Sequence, residues 1–134
     1  MTKPTIGQVE REISQQIRSF YSTQLGQRPS KIVCHCFDKE IVITIEDSLT
    51  LVEQALIESH YDKLVEEVRI SLNKIFKSEI KNLLEEIIDR TVIDIIINSS
   101  FITNRTGIIA ILEQSPVVRN PECIPKGNLN SVVD

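Results

Sequence analysis

Apolar residues recur at Ile6, Val9, Ile13, Ile17, Phe20 and Tyr21, a spacing of three and four that lays one stripe along a helix. Thr5-Ile6-Gly7-Gln8 in front of the stripe fits a capping box, and Gly26 with Pro29 closes it. The period then falls to two: Ile41, Ile43 and Ile45 alternate with Val42, Thr44 and Glu46, the pattern of a half-buried strand. A two-residue turn at Asp38-Lys39 pairs Phe37 with Glu40, Cys36 with Ile41, Cys34 with Ile43, Ile32 with Ile45 and Lys31 with Glu46. Residues directly opposite share a face, so Cys34 and Cys36 go with the isoleucines to the core and His35 goes outward. A three-residue turn would swap the faces.

Thr50-Leu51-Val52-Glu53 is a second capping box and opens a short helix through about Ile57. The chain breaks over Ser59 to Asp62, with Asp62 read as an N-cap and Tyr61 as a packing residue. A long amphipathic helix then runs to about Asp89. Leu64, Val65, Val68, Leu72, Ile75, Phe76, Ile80, Leu83, Leu84 and Ile87 form its apolar side, and Glu66, Glu67, Arg69, Lys74, Lys77, Lys81 and Glu85 cover the other. Two β-rich segments follow, Thr91 to Ser100 and Gly107 to Glu113. The order αββααββ predicts an α/β (α+β) two-layer sandwich: a four-stranded sheet of two hairpins with the helices on one face. Residues 1–113 form the one domain. Pro116, Pro121, Pro125 and Gly127 interrupt what remains, so 114–134 reads as a flexible tail.

Composition narrows the function more by exclusion than by assignment. A chain of 134 residues, 41% hydrophobic and 25% charged, suits a single globular core, and with 4% aromatics and no Trp that core must be Ile, Leu and Val. A net charge of −4 and a pI of about 5.2 argue against nucleic acid as a partner. No apolar run is long enough to insert in a membrane, and MTKPTIGQVERE has no signal region, so a cytoplasmic protein is expected. The sequons at Asn98 and Asn104 are then chance matches. Three cysteines without a signal peptide imply reduced thiols.

Cys34-His35-Cys36 looks like a metal or redox motif, but the strand alternation separates the three side chains, and a zinc site needs about four ligands. No metal, cofactor or catalytic residue is therefore assigned. Glu85, Glu86 and Asp89 read as a solvated helix end. No phosphate-binding glycine motif or nucleophile elbow is present, and the expectation is a protein that is not an enzyme. The loop from Asn98 to Gly107 is the richest in small donors. Ser99, Ser100, Thr103, Asn104, Arg105 and Thr106 would suit an anion or small ligand, or equally a well-capped hairpin connection in which Gly107 relieves strain.

A helix from Asp62 to Asp89 would be about 42 Å long at 1.5 Å per residue, and a seven-residue strand spans only about 23 Å. The apolar stripe at Ile80, Leu83, Leu84 and Ile87 would then overhang the sheet. Such a patch predicts a two-fold homodimer through that end of the helix.

Gly7 and Glu10 to Glu12 lie in the first helix, and Leu25-Gly26-x-x-Pro29 follows it. Leu49-Thr50-x-x-Glu53-x-x-Leu56, Leu64-Val65-x-x-Val68 and Thr103-x-x-Thr106-Gly107 come later, in that order. With these motifs the chain resembles the MpsC-like family over roughly residues 5 to 113. The resemblance implies a non-enzymatic accessory or regulatory protein of a membrane-potential-generating, bicarbonate-related transport system, whose other components are a membrane subunit and a large soluble zinc protein. It carries no catalytic residues across.

Overall fold

The computed structural model describes residues 2–127. Helix α1, Ile6–Leu25, starts at the expected box: the Thr5 hydroxyl accepts from the Gln8 N–H at 3.1 Å, and Gln8 Oε1 accepts from the Thr5 N–H at 2.8 Å. It stops where Gly26 takes the left-handed conformation at φ 62°, which a residue without Cβ adopts freely. Ile6, Val9, Ile13, Ile17 and Tyr21 are its buried stripe.

Strands β1 (Lys31–Phe37) and β2 (Glu40–Glu46) form the first hairpin, in the register that the charge pair and the alternation predict. Cys34 and Cys36 lie on the buried face with Ile41, Ile43 and Ile45. Helix α2, Leu51–Glu58, carries the second capping box, and α3 runs from Asp62 to Ile88. Strands β3 (Val92–Ser100) and β4 (Arg105–Leu112) form the second hairpin. β4 pairs antiparallel with β2, so the two hairpins join into one four-stranded sheet of order β1-β2-β4-β3.

Ile95, Ile108, Ala110 and Leu112 continue the buried face under α1 and α3, while Thr44, Ile96 and Ile109 on the opposite face stay exposed. This is the α+β sandwich with helices on one face. α1 and α3 meet through Phe20 and Phe76, packed edge to face with centroids 5.0 Å apart.

Four local expectations are corrected. Asp62 is the first residue of α3 rather than its cap; Tyr61 holds the cap position without a side-chain bond and is mostly exposed. Gly107 sits in β4 without positive φ, and the left-handed residue of that connection is Asn104, at φ 55°. The buried seam of α3 is Val65, Arg69, Phe76, Ile80, Leu84 and Ile88, so Arg69 faces inward while Leu64, Val68 and Ile75 face out.

The fourth concerns the C-terminal segment, which packs over residues 114–127 instead of hanging free. Val118 and Ile124 are core residues. Along the way the Val117 N–H donates to Ile88 O, the Arg119 N–H to Pro4 O and the Asp38 N–H to Pro125 O. Asn120 Oδ1 accepts from the Ile6 N–H at 2.8 Å, giving α1 a cap from the far end of the sequence. Prolines removed the periodicity that would have announced this strap, and its two apolar anchors are six residues apart. Residues 128–134 of the expected tail lie outside the described residues.

Candidate functional site

Where α2, α3 and the β4 end of the sheet converge, the core turns polar. Ser48, Glu53, Arg69 and Thr106 are buried there at 2% exposure or less. Glu53 is the third residue of α2, so its reach back to the Thr50 N–H (3.1 Å) and hydroxyl (2.9 Å) is the ordinary second half of the capping box. The same carboxylate receives Arg69 in a fork: Nε donates to Oε2 at 2.8 Å and Nη2 to Oε1. Nη2 also donates to Ser48 O at 3.0 Å.

A chain of hydroxyls continues from there. Thr106 donates to Ser48 at 2.7 Å, Ser99 and Thr106 share a bond of 2.8 Å, and Asn73 Nδ2 donates to Ser99 at 3.4 Å. Arg69 Nη1 is buried without a hydrogen-bond partner among the described residues. Tyr21 of α1 lies beside Arg69 and Thr106.

Two ionisable groups are shifted by this environment. Burial alone pushes the Glu53 carboxyl up, but the Arg69 guanidinium and the Thr50 donors together outweigh it, and the net shift is downward. Burial dominates at Tyr21 and raises its phenol, with the Arg69 charge opposing. At neutral pH the cluster therefore holds a carboxylate, a guanidinium and a neutral phenol. Five open grooves among the described residues are lined by neither Glu53 nor Arg69. In this geometry the cluster fastens α2 and the β2–α2 loop onto α3.

The predicted ligand loop is largely committed to the same purpose. Asn104 O accepts from the Asp47 and Ser48 N–H groups, and Asn104 Oδ1 accepts from the Leu49 N–H at 2.8 Å. Thr106 and Ser99 belong to the hydroxyl chain, and Arg105 reaches Glu46 at 3.2 Å on the surface. Only Ser100 and Thr103 are exposed without a side-chain hydrogen bond among the described residues. The loop thus ties the β3–β4 hairpin to the β2–α2 connection.

The expected interface residues are also drawn inward. Ile80 and Leu84 are core, and Leu83 and Ile87 are half-buried, because α1 lies along that end of α3. They do not overhang. Cys34 and Cys36 are buried thiols; the hydrogen bond between them and their burial push the Cys34 thiol well above its ordinary range. Among the described residues no three His, Cys, Asp or Glu side chains come together as a metal site.

Arg69 and Glu53 were the residues that sequence reading missed. A charge in an amphipathic helix counts as surface by default. The available signal was positional, since Arg69 lies four residues after Val65 and seven before Phe76, inside the seam.

A family profile described as "Na+-translocating membrane potential-generating system (MpsC)" matches residues 5–114. The chain belongs to the MpsC family. The match ends just before the strap, so the segment carrying Val118 and Ile124 lies beyond the part matched to MpsC. No curated protein and no solved structure matches the chain. No helix among the described residues is long and apolar enough to cross a membrane.

Proposed function

We propose that this MpsC-family chain is a non-enzymatic accessory module of a Na+-translocating membrane potential-generating system, working by contact with that system's membrane component. Its link to bicarbonate transport and its place in the cytoplasm belong to the same proposal. One contrast supports this reading. Most of the polar groups that resemble a ligand site in the sequence are engaged in internal hydrogen bonds, whereas large apolar side chains stand in solvent around the α2–α3 corner. Leu51 is 78% exposed, Val52 70% and Ile102 99%, and soluble monomers seldom expose such residues together.

The test is co-purification of the tagged chain with the detergent-solubilised membrane component. Retention that is lost in Leu51→Glu/Val52→Glu is expected. Absence of retention, or retention indifferent to those changes, counts against the proposal. A bicarbonate-dependent rise in melting temperature that disappears in Arg105→Ala would replace it with a ligand-binding role for the 98–107 loop.

A further inference from the structure

The side of α3 that faces the free edge of the sheet carries a charge pattern with a symmetry of its own. Asp62, Glu66, Ile70, Lys77 and Lys81 follow one another at helical spacing of four or seven residues, hence along one stripe. They line three successive grooves between α3 and the β3–β4 hairpin: Asp62 and Glu66 at one end, Ile70 and Lys77 in the middle, Lys77 and Lys81 at the other. The stripe is acidic at its start, apolar at its centre and basic at its end. Ile70 is 56% exposed in the middle groove, and Ile93 of the hairpin is 62% exposed in the groove of Lys77 and Lys81. Among the described residues no element covers those isoleucines.

The numbers in the sequence fix how a second copy would sit. Glu66 and Lys77, and likewise Asp62 and Lys81, have the same midpoint, between Ser71 and Leu72. A two-fold axis through that point sets two α3 helices antiparallel. It brings Glu66 to the partner's Lys77 and Asp62 to the partner's Lys81, with Ile70 near the axis. A parallel arrangement would oppose like charges at both ends. From Asp62 to Lys81 the stripe is about 28 Å long at 1.5 Å per residue, enough for an interface of ordinary size.

Pairing strand to strand is the competing mode, and the edge is guarded against it. The N–H of Ile95 is taken by Asp94 Oδ1 at 2.8 Å and that of Ser99 by Asn98 Oδ1 at 2.9 Å, which leaves β3 few free donors. The exposed Lys77–Asp94 pair, at 3.8 Å, is loose enough to share its lysine with a facing carboxylate.

We propose that two copies of this chain pair through this face, α3 antiparallel to α3, held by Ile70 and Ile93 and oriented by the two charge pairs. The inference is independent of the membrane-system role. Light scattering at micromolar concentration is expected to give twice the chain mass of 15.3 kDa. Two charge-reversed variants then decide the geometry, Asp62→Lys/Glu66→Lys and Lys77→Glu/Lys81→Glu. Each alone should associate at least tenfold more weakly, and an equimolar mixture should regain the dimer as a heterodimer. Circular dichroism monitors the fold, and if Asp62→Lys disturbs the start of α3, Glu66→Lys alone takes its place under the same requirement. A wild-type monomer at these concentrations overturns the proposal. So does a reversed variant that dimerises as wild type, or folded variants whose mixture stays monomeric.

Discussion

Arg69 at 1% exposure is an expensive residue to bury unless its charge is answered. Glu53 answers it with both carboxylate oxygens, and Ser48 O takes a third donor. Removing one partner should cost much more than removing both, because the survivor is left charged and buried. Glu53→Gln is therefore expected to lower unfolding free energy by about 3–5 kcal/mol, while Glu53→Leu/Arg69→Met should lose far less than the sum of its single changes. Denaturant titration of the four proteins measures the coupling. The pH dependence has a definite sign. The folded-state pKa of Glu53 is depressed, so its contribution is complete above the ordinary value of 4.5 and is lost as pH falls through the lower folded value. Glu53→Leu/Arg69→Met should flatten that acid limb.

At the scale of elements, legibility followed periodicity. Helix α1 and the first hairpin could be read residue for residue because each was bounded by a cap or turn and repeated a clean pattern between. α3 kept its ends but not its inner face: twelve apolar residues over 27 positions allow more than one seam, and the one chosen by the fold includes an arginine. The strap was unreadable in principle from local pattern, since its stability comes from contacts with Pro4, Ile6, Asp38 and Ile88, all distant in sequence. Its weight can be measured. Ile124 is 3% exposed, and Ile124→Ala should destabilise by about 2–4 kcal/mol, the range for large-to-small changes in a packed core. A loss below about 0.5 kcal/mol, the scale of an unremarkable surface change, would mean that the strap adds nothing to the folded state.

Over the whole molecule, apolar support is uneven. The C-terminal half of α3 packs between α1 and the sheet through Phe76, Ile80, Leu84 and Ile88. α2 has no residue in that cluster; its one fully buried side chain is Glu53, and its first two residues stand in solvent. The helix is therefore held chiefly by a polar fastening, and polar fastenings release locally without dissolving a core. Charge is uneven in the same sense. Between Asp47 and Arg69 there are six acidic and two basic residues, a local −4 equal to the net charge of the entire chain. Like charge crowds the corner that is least anchored by apolar contact. Native-state hydrogen exchange should accordingly find the α2 amides opening at lower free energy than those of Phe76 to Ile88. Glu53→Gln should accelerate α2 strongly and leave the C-terminal half of α3 behind the global limit. Equal protection of α2 and that half of α3 would show instead that the corner unfolds only with the whole, and that the Glu53–Arg69 pair acts as an integral part of the core.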